Sequence, residues 1–396
     1  MIKRRKVHGR EIATICVLVF LGVFSICNAK LVKEPLKQFV KGDAGFTEFT
    51  KEIRDAYTSE RLSMKNPFIC INGLFSRLIG QRVCNEVVLL ENDMLSLTVK
   101  RYNMKKQAAA ITELDKHLKK QKIPFLYVQA PYKEEPEDIL YPVGVTSYAN
   151  ENADELLGRL KDEQVEFLDL RPYLSANVDL INKYYFKTDH HWNFTGAFVG
   201  FGKIAEKVAV MFPEKEIDLT YTKWEQWESH TLEKWFLGSR GKRVGMLFAG
   251  VDDITWYTPK FETNMYRSVP KYNAVFEGDF VKTNIREKYI EKKDYFKDNP
   301  YCLYIGGDYP IVHHKNYLPV TDMKLLIVKD SYTSPVQAYL STMFTEIDVI
   351  DPRHFKETGV AEYVKESQPD LVILMMNPSV FGVSDYMDFG VNKQEK

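Results

Sequence analysis

Three short clusters in this chain bring together residue types that do chemistry as a set: Thr188-Asp189-His190-His191-Trp192, Lys329-Asp330-Ser331-Tyr332 and Met376-Asn377-Pro378-Ser379. A serine hydroxyl becomes a useful nucleophile only when an imidazole takes its proton and a carboxylate fixes the imidazole tautomer. Ser331, His191 and Asp189 supply one of each. Ser331 follows the apolar run KLLIV (324–328) and precedes a stretch in which Ser334 is expected to cap a helix, with Pro335 at its first position. At such a strand-to-helix turn the Ser331 backbone N–H faces a developing oxyanion with the helix N-terminus behind it. Asn377, at the end of LVILMM (371–376), is the candidate second oxyanion donor. Tyr332, Trp192 and Arg353 are the candidates for substrate contact, although Arg353 is placed equally well to pair with Asp351 two residues before it.

Other polar features have simpler readings. Asp189, His190 and His191 are metal-ligand types, but no further carboxylate or histidine follows at ligand spacing, so no metal is assigned. His313 and His314 read as residues facing solvent or substrate. Gly306-Gly307-Asp308 reads as a tight turn, since the downstream Lys-Ser/Thr of a phosphate loop is missing. Asn193 opens an Asn-Phe-Thr glycosylation pattern yet is better explained as a helix cap. Trp224, Trp227, Trp235 and Trp256 are suited either to stacking on sugar faces or to core packing.

The elements that must position these clusters follow from periodicity. Met104, Ala108, Ile111, Leu114 and Leu118 recur at helical spacing, and the buried-strand pattern IPFLYVQAP follows them. A second helix-to-strand step runs from Asp154–Lys161 to VEFLDL, and NFTGAFVGFGKIAEKVAVMF reads as a long apolar helix. Residues 31–100 read as a strand-rich or irregular lead-in, and 214–320 as a β-rich insertion. Strand-helix grammar resumes with KLLIV, EIDVI (346–350), a helix around 356–366 and LVILMM. Such alternation predicts an α/β fold with a parallel sheet, whose ligands bind at the carboxyl ends of the strands.

YYFKTDHHWNFTGAF, together with KDSYTSP, EIDVIDPRHF and LVILMMN, resembles the bacterial DHHW family, SGNH hydrolase-like proteins related to those of alginate O-acetylation. The resemblance covers roughly residues 120–210 and 300–380. It implies an SGNH-like three-layer α/β/α domain in permuted order, with the Asp/His motif ahead of the Ser motif; the β-rich insertion read between them is not a standard element of such domains. It also implies the roles already given to Asp189, His191, Ser331 and Asn377, with Lys329 standing where the family usually has glycine. The implied activity is acyl, above all acetyl, transfer or ester hydrolysis on a cell-envelope or exported polysaccharide, with no cofactor. The alternative is a non-catalytic carbohydrate-binding or assembly protein that keeps the shell.

Address and composition fit this expectation. Lys3, Arg4, Arg5, Lys6 and Arg10 precede an uncharged apolar run from Ile12 to Cys27, the pattern of an export signal or an uncleaved membrane anchor. Residues 1–30 are therefore set apart as targeting sequence. Residues 31–213 and 321–396 form the two parts of the α/β domain around the 214–320 insertion, all outside the cytoplasm. Acetyl-CoA is cytoplasmic, so a transferase there needs an acyl donor delivered by a membrane partner. Lys+Arg 54 balances Asp+Glu 54, which removes the electrostatic case for nucleic acid. Of the exported cysteines Cys70, Cys84 and Cys302, the first two are close enough in sequence for a disulfide.

Overall fold

The structure is a computed structural model that describes residues 9–58, 62–137, 139–356 and 358–391. Residues 1–72 and 73–396 form two compact units. The first holds helices Gly9–Lys41 and Phe46–Thr58. The apolar run from Ile12 to Cys27 lies inside the first of these, while Lys3, Arg4, Arg5 and Lys6 fall outside the described residues. Among the described residues no helix is long and apolar enough to cross a membrane.

The second unit carries all the strands: β1 (Val83–Cys84), β2 (Val87–Leu89), β3 (Leu95–Ser96), β4 (Phe125–Gln129), β5 (Phe167–Asp169), β6 (Trp227–Phe236), β7 (Asp252–Pro259), β8 (Met265–Val269), β9 (Ala274–Gly278), β10 (Ile311–Asn316), β11 (Thr321–Lys329), β12 (Phe344–Ile350) and β13 (Leu371–Met376). Eight of them form the central sheet in the order β5-β4-β13-β11-β12-β10-β8-β9. The β5 to β12 half is parallel, and the β10-β8-β9 edge is antiparallel. The expected β-rich insertion thus contributes three strands to the main sheet, and β6 and β7 pair as a separate ribbon.

The near-continuous apolar strands are explained by burial on both faces. In β11, Leu325 and Ile327 face one core while Leu326 and Val328 face the other; β13 alternates in the same way. Helices Phe194–Met211 and Thr333–Leu340 cover the first face. Helices Lys105–Lys120, Ala149–Asp162 and Val360–Ser367 cover the second, giving three α/β/α layers. Helix Phe194–Met211 buries Phe194, Ala197, Phe198, Phe201, Ile204, Ala205 and Val208, one apolar stripe at helical spacing. Its cap is Asn193, whose Oδ1 accepts from the Gly196 N–H at 2.9 Å.

Several local expectations are corrected. NGLFSRL lies in helix Lys65–Leu78, because its apolar residues recur at helical rather than alternating spacing. The helix after β11 starts at Thr333, so Ser334 and Pro335 lie in its first turn and Ser334 is not the cap; proline fits there because the first-turn N–H groups have no intrahelical acceptor. Cys70, Cys84 and Cys302 form no disulfide, and the buried Cys84 thiol bonds Ser76 instead.

Candidate active site

β11 is flanked by β12 on one side and β13 on the other, so the chain leaves it at the point where the strand order reverses. The crevice beyond a strand end is open at such a point, because the flanking connections diverge to opposite sides. Ser331 sits there, two residues past the end of β11. Beneath it, buried Asp330 ties neighbouring strand ends together. Its Oδ1 accepts from the Tyr332 N–H at 2.9 Å, and its Oδ2 accepts from both the backbone N–H and the side-chain amide of Asn377 at 2.6 Å. Burial raises the Asp330 carboxyl above its ordinary value against the pull of these donors.

The histidine is carried on the loop between helices Val178–Tyr184 and Phe194–Met211. A bridge between Tyr185 and Trp192 pinches this loop at its base. His191 Nε2 lies 2.7 Å from Ser331 Oγ, and its Nδ1 lies 2.6 Å from Asp189 Oδ1. A carboxylate accepts only, so Nδ1 carries the proton and Nε2 is left to accept from the serine hydroxyl. Asp189 also accepts from the His191 N–H at 3.1 Å and the Ser239 N–H at 2.6 Å. Burial alone would raise its carboxyl, but the facing histidines and these N–H donors outweigh it and hold Asp189 well below the usual range. The imidazole plane is fixed by Tyr301, whose ring stacks on His191 at 3.8 Å and 11° and whose hydroxyl donates to the Ser331 carbonyl at 3.1 Å. His190 covers the other face at 3.7 Å, and burial pushes its pKa well down.

The structure brings Asp189, His191 and Ser331 together but employs the remaining candidates differently. Trp192 and Tyr332, expected to contact substrate, are fully buried. The Trp192 indole N–H donates to the Tyr332 carbonyl at 3.1 Å, and its ring lies so close to Gly200 that a Cβ there would approach it to 2.8 Å. Tyr332 donates its hydroxyl to the His190 carbonyl. Both side chains therefore lock the histidine loop to the serine turn. Asn377, expected as an oxyanion donor, directs its amide N–H at Asp330, and its Oδ1 accepts from Ser379. Arg353 takes the pairing alternative: it is held by Asp351 at 2.6 Å and Asp308 at 2.8 Å, so its charge is already matched.

Lys329 completes that group. Its ammonium is buried and paired with Asp308, with Asp351 3.8 Å away. Burial would raise Asp308, but Lys329 and Arg353 together drive its carboxyl far below the ordinary range. Asp308 is thus more than a turn residue, since it anchors the Gly306-Gly307 loop to the strand that carries Ser331. His314 is buried rather than solvent-facing, and burial drives its pKa down to about 3. Among the tryptophans, Trp227 is core and Trp224 packs on Phe198 at 4.1 Å while remaining 41% exposed. Periodicity gave no sign of Tyr301, Ser239 or Lys133, which meet the triad only through folding. Asp189, His190 and His191 are also the described residues whose potential metal-ligand atoms lie within 4.8 Å of one another. However, Asp189 and His191 are already engaged with each other and with Ser331.

Residues 89–240 match the family described as SGNH hydrolase-like domain, acetyltransferase AlgX, a match that supports an acyltransferase-type role. No curated protein matches the chain. Among solved structures, PatB1 of Bacillus cereus is 22% identical over 76% of this chain and 99% of that one, with a TM-score of 0.63. The same protein with a sulfonyl adduct gives 0.61 at the same identity and coverage. A DHHW family protein from Eubacterium siraeum is 19% identical over 78% of this chain and 96% of that one, with a TM-score of 0.55. At these identities the structural likenesses show the fold, a mixed α/β domain with a largely parallel central sheet. Residues 89–240 are thus similar to the SGNH hydrolase-like domain of the AlgX acetyltransferase type, within a chain whose mixed α/β fold is also that of PatB1 and the DHHW family protein.

Proposed function

We propose that this chain acts outside the cytoplasm as a serine acyltransferase or esterase, moving or removing acetyl groups on a cell-envelope or exported polysaccharide. The observation that carries this reading is the continuous line of hydrogen bonds Ser331 Oγ, His191 Nε2, His191 Nδ1, Asp189 Oδ1, with links of 2.7 and 2.6 Å. Ser331 attacks the ester carbonyl as His191 takes its proton, and Asp189 stabilises the imidazolium that forms. The Ser331 backbone N–H faces the oxyanion ahead of helix Thr333–Leu340, a donor contribution generally worth a few kcal/mol. The protonated His191 then releases the alcohol, leaving an acetyl-serine. A sugar hydroxyl or water, deprotonated in turn by His191, resolves it as transfer or hydrolysis. Transfer requires an acetyl donor supplied by a membrane partner, and the apolar N-terminal segment suits a chain held at that surface.

The test is to incubate the protein with 4-nitrophenyl acetate, alone and with oligosaccharide acceptors, beside Ser331→Ala and His191→Ala. An intact mass increased by one acetyl group, localised to Ser331 and missing from Ser331→Ala, supports the nucleophile; acceptor screening then separates transfer from hydrolysis. Background signals in all three proteins would instead favour a carbohydrate-binding or assembly role.

A further inference from the structure

The loop that carries Asp189 and His191 holds its shape around a cation from another element. Lys133 lies four residues past the end of β4 and is 1% exposed. Its ammonium donates to the carbonyls of Leu95 at 2.9 Å, Phe186, and Asp189 at 2.6 Å, with Lys187 O at the 3.5 Å limit. An ammonium has three N–H donors, and each of the three short contacts takes one. Among the described residues no carboxylate pairs with it. The loop carbonyls at 186 and 189 thus turn inward onto a single charge, which holds the Asp189 backbone in place. Asp252 braces the same loop from β7, accepting from the Lys187 and Thr188 N–H groups.

The geometry points to Lys133 as a positioning residue for the reaction proposed above: its charged form clamps the 186–191 loop so that Asp189 and His191 stay in line with Ser331. Deprotonation removes one of three donors and points a lone pair at a carbonyl, so the clamp works only while the amine is protonated. Burial brings the Lys133 pKa down to about 7, opposed by Asp252 and Asp189 and assisted by Arg240. His190 also faces the group, with its own pKa pushed well down. The clamp therefore releases as pH rises past neutrality. Global stability moves the other way, because neutralising a buried ammonium relieves its desolvation, so the loosening is confined to the 186–191 loop within a fold that tightens overall.

The inference rests on the triad reading, so its test has one arm that needs turnover and one that does not. In the first, rates with 4-nitrophenyl acetate are measured from pH 6 to 9.5 for the wild type and for Lys133→Met, which keeps the apolar stem. We expect at least a tenfold lower kcat in the variant at pH 6.5 with KM little changed. The wild-type rate, corrected for spontaneous hydrolysis, should fall above pH 7, and the variant should lack that fall. In the second arm, amide hydrogen exchange is followed in peptides covering 186–192, corrected for intrinsic base catalysis. Exchange should quicken in Lys133→Met at pH 6.5 and in the wild type between pH 6.5 and 9. A wild-type rate and pH limb retained in the variant overturn the inference. If the wild type is inert toward the ester, the triad reading fails and exchange alone decides the clamp: acceleration supports it and unchanged protection overturns it. If Lys133→Met does not fold, the wild-type exchange profile decides in the same way.

Discussion

Gly238 has no catalytic atom, yet replacing it by alanine should disable the site. An added Cβ at Gly238 would lie 2.4 Å from Asp189 Cβ and 2.6 Å from both its Cα and its N. Two of these three atoms are backbone, so no rotamer change relieves the overlap. Asp189 must retreat by about half an ångström to escape outright collision and by roughly 1 Å to reach ordinary contact. It cannot move alone, since its Oδ2 accepts from Ser239 N–H and its backbone carbonyl sits on Lys133. Misplacement by about 1 Å typically costs on the order of 100-fold in rate, near 2.7 kcal/mol of transition-state stabilisation. Overpacking should cost about 1–3 kcal/mol of stability as well. The assay is ester turnover of Gly238→Ala at a temperature where circular dichroism shows it folded, alongside the low-field proton NMR resonance of the His191–Asp189 hydrogen bond. Wild-type turnover with an unshifted resonance would refute the reasoning, because it would mean Asp189 moves without consequence or is not held where the distances place it.

Asp330→Ala should lower stability by about 3 kcal/mol or more in denaturant unfolding, since three N–H donors from Tyr332 and Asn377 lose their acceptor in a fully buried place. Lys329→Met should cost roughly 3 kcal/mol by leaving buried Asp351 and partly buried Asp308 to Arg353 alone. In the Lys329→Met/Asp308→Asn double variant the loss should fall short of the sum of the singles, as a double-mutant cycle will show. Lys133 should also make stability rise with pH. Its folded value of about 7 lies below the ordinary 10.5, so the burial cost is fully present below pH 7 and is relieved as pH climbs toward 10.5. A rise of up to several kcal/mol in unfolding free energy across that window, missing from Lys133→Met, is the expected outcome of urea titrations at successive pH values.

Much of the frame was legible because its signals are local. A strand buried on both faces must be apolar throughout, and IPFLYVQAP, KLLIV and LVILMM all became strands of the parallel half. The Asn193 cap needed only its own side chain and the Gly196 N–H. Residues 65–78 were harder, since a short apolar run with turn formers such as Asn72 and Gly73 fits either secondary structure. The insertion was recognised as β-rich, but pairing β10 with β12 joins residues more than thirty positions apart, and alternation by itself does not name a partner.

The division is sharpest at the candidate site. Sequence by itself determined the side-chain types, since serine, imidazole and carboxylate have the reactivity a triad needs whatever surrounds them. It also determined that Ser331 and Asn377 would follow strand ends, because the apolar runs stop just before them. Only tertiary structure decided which polar neighbours face the chemistry. Trp192, Tyr332, Asn377 and Arg353 are as polar or aromatic in the sequence as any ligand-binding residue, and folding spent each on a hydrogen bond or ion pair inside the protein. Tyr301, Gly238 and Lys133 entered for the same reason. Orientation, close approach and burial arise between segments far apart in the chain, and no local pattern of residues encodes them.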